Sequence, residues 1–281
     1  MPSTAASSPV LISEFSADAE QTLTAAFGKP KNWHTPVIAV DSEGVDLSRV
    51  GQLCIVQLAT LDGASCFILD LLGKEESDPL VAWLRELLED DSVEKIIHDC
   101  RMDSDALFHH LQIRLENVHD TACWFTVSTG RPNVGLNDTL RFYELPPNAD
   151  RDNSVYRTNH AFWATRPLTA SMLARAGGDL DSLFLLREKQ VEKASGSSGA
   201  DARSRKKSEE FLNVARDAKV HTFVVRGSVG GFIGRGGVNI RSLERQTNTV
   251  IYGRGKREEN KFMVFYRNEA DLAKVLRKAG C

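Results

Sequence analysis

Four short runs of aliphatic and β-branched residues punctuate the first hundred positions: VIAV at 37–40, LCIVQLA at 53–59, CFILDLL at 66–72 and KIIH at 95–98. Their length and composition predict strands. Apolar residues spaced three and four apart predict helices at 80–88 and 106–111 and a long helical stretch over about 169–193. Three strands in close succession, then alternating strand and helix, imply an α/β domain with a mixed sheet over 35–192. Residues 1–34 are mostly small and polar with one modest amphipathic stretch, and read as an N-terminal arm or a first docking helix. The run KASGSSGADARSRKKSEE (193–210) offers little apolar surface to bury, so 193–218 is expected to be a flexible linker. Beyond it, TFVV (222–225), VIY (250–252) and KFMVFY (261–266) read as strands, and 228–233, 238–247 and 269–279 as helices. That order, βααββα, predicts a small α+β module over 219–281.

Composition adds an electrical asymmetry to this two-part plan. The chain has 281 residues, of which 42% are hydrophobic and 26% charged, values that exclude a disordered tail, a collagen or a disulfide miniprotein. Residues 1–200 carry 17 Lys and Arg against 29 Asp and Glu, whereas 201–281 carry 18 against 9. A basic module on an acidic body is a candidate for binding a polyanion. The five cysteines (Cys54, Cys66, Cys100, Cys123, Cys281) form no CxxC pair, and the first four read as reduced thiols in or near the core, with zinc disfavoured. The N-terminus has neither the basic start nor the apolar run of a signal peptide, and no apolar stretch approaches the ~18 residues a membrane span needs. A soluble intracellular protein, cytoplasmic or nuclear, is expected.

Candidate chemistry lies in acids at element ends. Asp41 and Glu43 directly follow VIAV, and side chains two apart on a strand share a side, so both carboxylates point to one place. They are either solvated strand-end acids or half of a site. In HDCRMDSDALFHHL (98–111), Asp103 falls on the inward stripe of Leu107 and Leu111, while Asp105 faces elsewhere. Asp103 either complements the helix N-terminus or ligates a metal. In RPLTASMLARAGGDLDSLFLL (166–186), Asp179 interrupts an apolar face of Met172, Ala176, Leu183 and Leu186. Four acids from three segments would suit two divalent ions held by oxygen alone, Mg²⁺ or Mn²⁺, although periodicity cannot show that they converge.

The series VIAVDSEG, KIIHDCRMDSDAL, NVHDTACW and FWATRPLTASMLARAGGDLDSLFLL resembles the DEDD 3′–5′ exonuclease superfamily on its RNase D side, closest to the Egalitarian-like group. The resemblance spans roughly 36–190. It implies an RNase H-like fold, Asp41, Glu43, Asp103 and Asp179 as catalytic metal ligands, and two-metal removal of nucleotides from a 3′ end. Active members usually carry a Tyr four residues before the last Asp, or a His five before it, to position the attacking water. Here those places hold Arg175 and Ala174. A guanidinium stays protonated and cannot act as a general base, so water positioning falls to the metal, to Tyr156 or to His160, or the domain is slow or inactive. Arg175 itself stands either in a salt bridge with Asp179 or as a clamp on substrate phosphate.

The segment 224–253 resembles a type I KH domain, with Gly234, Arg235, Gly236 and Gly237 at the family's GXXG loop. Glycines let a backbone approach phosphate and the following helix opens with free N–H groups, whereas the alternative is a structural turn between two helices. Arg241, with Arg226, Arg245 and Arg254, is a candidate phosphate contact. Such modules hold about four single-stranded nucleotides. Together the resemblances imply a 3′–5′ exoribonuclease on single-stranded RNA, DNA not being excluded, with KH capture through a tether. The alternative is a catalytically weak or inactive nuclease-fold adaptor that binds RNA.

Overall fold

The computed structural model describes residues 9–61, 66–148, 159–178, 180, 182–253 and 260–281. Where an arm was expected, the chain builds β1 (Val10–Ile12), α1 (Ala17–Phe27) and a short hairpin of β2 (Gly28–Lys29) and β3 (Asn32–Trp33). Ser16 caps α1 by accepting from the Ala19 N–H at 3.2 Å. Ala19, Leu23 and Phe27, four apart, then form one buried stripe. Fully burying a Leu or Phe is worth about 1.5–3 kcal/mol, so this segment is bound into the domain rather than held as an arm. The docking-helix reading of α1 is the one that matches.

The hydrophobic runs become β4 (Val37–Val45), β5 (Gln52–Thr60), β6 (Cys66–Asp70) and β7 (Glu94–Ile97), joined by β8 (Val118–Asp120). They form a six-stranded sheet in the order β1-β6-β5-β4-β7-β8. The β4, β7 and β8 pairings are parallel, those of β5 with β4 and β6 antiparallel, and β1 adds parallel to β6. Helices α2 (Pro79–Leu88), α3 (Arg101–Leu111), α4 (Thr121–Thr129) and α5 (Leu136–Phe142) follow. On one sheet face Phe27 meets Phe67 and Trp83, with ring centroids 5.2 and 5.7 Å apart. The opposite face carries Ala39, Ala59 and Ile96 in one cluster and Ile55 and Ile68 in another.

The long helix expected over 169–193 is two helices, α6 (Ala170–Gly178) and α7 (Leu183–Ser195). Gly177 and Gly178 are poor helix formers, and a turn follows in which the Leu180 N–H reaches the Gly177 carbonyl at 3.2 Å. Met172 and Ala176 pack with Ile55 and Ile68, while Leu183 and Leu186 pack with Ala39. The apolar face that looked continuous is therefore shared between two clusters.

The flexible linker expected at 193–218 is likewise corrected: Ala200–Arg216 forms a 17-residue helix, α8. Its buried positions Ala200, Ser204, Ser208, Leu212 and Ala215 recur every three or four residues, but two are serines, so the stripe is invisible to a reading by hydropathy. Ala200 and Ala194 pack on Trp124. The Ser208 hydroxyl accepts from the Asp120 N–H at 3.1 Å, and Arg205 reaches Glu94 at 3.5 Å.

The chain divides into units Met1–Glu209 and Glu210–Cys281, the division falling within α8. In the second unit, β9 (Lys219–Val224), α9 (Val229–Ile233), α10 (Val238–Thr247), β10 (Val250–Gly253), β11 (Lys261–Tyr266) and α11 (Glu269–Ala279) follow the βααββα order. The antiparallel sheet, ordered β10-β11-β9, buries Phe223, Phe262 and Val264 against Phe232, Leu272 and Val275. Ile240 and Leu243 add partly buried contacts from α10.

Candidate active site

Strand β4 outruns its parallel neighbour. Strand β7 pairs only with Val37, Ile38 and Ala39, and Asp41 and Glu43 come directly after. On the antiparallel side they stand opposite Gln57 and Ile55 of β5, and the register slips between Glu43 and Gly44. Gly44 admits no side chain, since a Cβ there would lie 1.9 Å from the Gln52 carbonyl oxygen. The bulge thus bends the strand at the acids it carries.

The turn from β7 into α3 brings Asp103 alongside this open stretch, and its geometry is tightly held. His98 bonds the Thr121 hydroxyl through Nδ1 at 2.8 Å and meets the Val134 carbonyl through Nε2 at 3.0 Å. Asp99, at φ 64°, takes a two-pronged bond from Arg101 at 2.6 and 2.7 Å. The buried Asp120 carboxylate accepts from the N–H groups of Cys100 at 2.8 Å, Ala122 at 2.8 Å and Cys123 at 3.0 Å, with Asp99 at 3.3 Å. One side chain therefore ties the start of α3 to the start of α4.

Asp103 is 5% exposed. Burial pushes its carboxyl up to about 7, and the Asp99 and Asp120 charges push the same way. Asp103 Oδ1 and Ser42 Oγ are both buried without a hydrogen-bond partner among the described residues. An orphaned carboxylate oxygen in such a place fits a hard cation, which prefers oxygen donors and supplies the missing counter-charge. Asp105 faces away as expected, but it is buried, held by the Arg49 guanidinium at 2.8 Å and backbone N–H at 2.6 Å.

Asp179 and Tyr156 lie outside the described residues, as does Arg254. Leu180, next after Asp179, packs in the cluster of Ala39, two positions before Asp41. Arg175 is partly buried on α6. His160 Nε2 lies 3.2 Å from Asp46 Oδ1, just past the end of β4. Among the described residues, no three His, Cys, Asp or Glu side chains stand together as a metal-holding group. Sequence reasoning overlooked Ser42 and Gln57; the available signal was a polar residue inside an apolar strand run. The role of Asp120 in joining the starts of α3 and α4 was likewise not read from the sequence.

In the second unit, Gly234, Gly236 and Gly237 all have positive φ (77°, 58° and 79°). A Cβ on Gly234 would sit 2.7 Å from the Asn239 side chain, whereas Gly236 has nothing within 4 Å. Arg235 and Gly236 are exposed, and the Arg241 guanidinium donates back to the Gly236 carbonyl. Gly237 precedes α10 without a side-chain cap, and the Val238 N–H that opens the helix is taken by the Arg235 carbonyl.

The mixed sheet is that of an α/β nuclease fold, as in RNase D structures. A sequence model of the 3′–5′ exonuclease family matches residues 15–193, and the chain belongs to that family, as a DEDD-type member. It is 35% identical over 151 residues to piRNA biogenesis protein EXD1 of Mus musculus, covering 49% of this chain and 26% of that protein. Against EXD1 proteins of several animals the chain spans between 26% and 37% of the relative's length. Among solved structures, Trypanosoma brucei RNase D in complex with RNA U12 superposes with a TM-score of 0.61 at 21% identity, covering 74% of this chain and 71% of that one. Brucella melitensis NrnC with bound Mg²⁺ gives 0.52 at 22% identity, covering 66% and 84%. No helix among the described residues is long and apolar enough to cross a membrane.

Proposed function

We propose that the first unit is a 3′–5′ exoribonuclease that trims single-stranded RNA, with Asp41, Glu43, Asp103 and Asp179 holding two Mg²⁺ or Mn²⁺ ions. The observation that carries this reading is the match of residues 15–193 to the exonuclease family, supported by Asp41 and Glu43 on one side of β4 and by Asp103 Oδ1, buried without a hydrogen-bond partner among the described residues. The RNA bound by a solved RNase D and the Mg²⁺ bound by NrnC support the substrate and cofactor classes. When bound, such ions activate water and stabilise the leaving oxygen of a phosphodiester. The chain's own residues then have defined tasks. The bulge at Gly44 fixes the direction of Asp41 and Glu43, Asp120 fixes the turn that delivers Asp103, and His160 or Tyr156 orients the attacking water. Arg175 takes substrate phosphate, which its fixed charge suits.

The second unit is read as a KH-like module that captures the strand. The βααββα order and the exposed glycine loop with its positive φ angles support it. Residues 219–281 carry 13 Lys and Arg against 5 Asp and Glu, as phosphate binding requires.

Arg175 and Ala174, in place of the usual Tyr or His, favour a second reading, an RNA-holding adaptor with little catalysis. Incubating the protein with 5′-labelled single-stranded RNA and Mg²⁺ or Mn²⁺, beside Asp41→Asn and Asp103→Asn, separates the two. A ladder descending from the 3′ end in wild type alone supports the nuclease. Bound but intact RNA in all three supports the adaptor, and a parallel DNA strand tests the choice of sugar.

A further inference from the structure

Gln57 presents a buried polar side chain inside the sheet. It is 0% exposed, and both its amide oxygen and nitrogen lack a hydrogen-bond partner among the described residues. On its own strand its same-side neighbours are Ile55 and Ala59, and across the sheet on one side is Ile68, none with a polar side chain. On the other side, in antiparallel register, is Asp41. Directly opposed residues on one face have Cβ atoms about 4.5–5.5 Å apart, within reach of a Gln amide and an Asp carboxylate, although the Gln57 amide is not bonded to Asp41 in this structure.

We infer that Gln57 is a positioning residue for Asp41, its amide N–H orienting that carboxylate for a divalent cation. This rests on the reading of Asp41 as a metal ligand. Carboxylates that ligate metals are commonly held by a hydrogen bond from behind, and removing the partner weakens metal affinity by about 10–100-fold. An unpaired buried amide, by contrast, lowers the stability of the metal-free fold, so replacing it with an apolar side chain of similar shape is neutral or stabilising. The inference therefore expects two properties to move in opposite senses, which a merely structural glutamine would not allow.

The test is Gln57→Met in the full chain, read by calorimetric titration with Mn²⁺ and by thermal melting in chelator. The expected result is a Mn²⁺ dissociation constant raised fivefold or more, with a metal-free Tm equal to or above that of wild type. A dissociation constant changed by less than fivefold, or a lowered metal-free Tm, overturns the inference. Gln57→Leu repeats the measurement if the Met variant does not fold, under the same criteria. Wild type that binds no Mn²⁺ would instead contradict the metal site itself, so failure of the function and failure of this inference are told apart by the wild-type isotherm.

Discussion

Asp103 and Gly236 exemplify two ways of placing chemistry. Asp103 is 5% exposed, with its carboxyl raised by burial, and is delivered by a turn that Asp120 ties down. Gly236 is exposed, at φ 58°, with nothing within 4 Å of where a Cβ would stand. The first unit buries the Asp103 carboxyl away from water, a setting that suits a cation and repels a phosphodiester without one. The second offers open backbone and positive charge, an arrangement that suits the phosphodiester directly. On this account one unit depends on a metal and the other does not.

The largest effect expected from breaking that contrast is on cleavage. Asp41→Asn or Asp103→Asn should reduce it by about 10³-fold or more, since metal ligation contributes several kcal/mol and each 1.36 kcal/mol is tenfold. Retention of long RNA in a gel shift should be unchanged. Chelator should reproduce this pattern in wild type.

Next comes stability of the first unit. Asp120→Ala leaves the backbone N–H groups at the starts of α3 and α4 without their acceptor and should cost about 3 kcal/mol. The four tryptophans, Trp33, Trp83, Trp124 and Trp163, all lie in that unit, so their fluorescence during urea unfolding reports it alone.

Acid should act on the same unit. Burial holds the fully enclosed His119 down to about 4, so the unfolded chain, near 6.5, takes up a proton first. Stability is full above 6.5 and is lost as the pH falls from there towards 4, by on the order of 2–3 kcal/mol. Glu94 adds to this: burial raises its carboxyl, but Arg187 and Arg205 together hold it below the usual range, a contribution lost as the acid becomes protonated. Urea midpoints from tryptophan fluorescence between pH 7 and 4 should fall accordingly, and His119→Gln should flatten the decline.

The smallest effect is on capture. Gly236→Asp places a negative charge on the exposed loop and should weaken retention of long RNA about tenfold, or 1.4 kcal/mol. Cleavage of di- and trinucleotides should be spared. Equal loss of both would mean that the loop serves the first unit's site.

What the sequence disclosed follows the same physical line. Elements whose apolar residues mark their buried side, such as β4 to β7 and the strands and helices from β9 to α11, lie where the pattern places them. Helix α8 escaped because its buried side is built from Ala200, Ser204 and Ser208, small residues that pack closely without signalling burial. The break between α6 and α7 escaped because Met172 and Leu183 are both apolar, although they serve different clusters. Asp41, Glu43 and Asp103 were legible as acids at element ends. The supports around them were not, because Asp105 meets Arg49 and Asp120 meets Ser208 across long stretches of chain. Gln57 appeared only as one polar letter in an apolar run.

The most direct test of the central claim is anomalous diffraction from crystals soaked in Mn²⁺. Two peaks bounded by the carboxylates of Asp41, Glu43, Asp103 and Asp179 are the expected result. Ordered Asp103 and Asp179 with no Mn²⁺ between them and β4, at Mn²⁺ concentrations that fill other sites in the crystal, would contradict it.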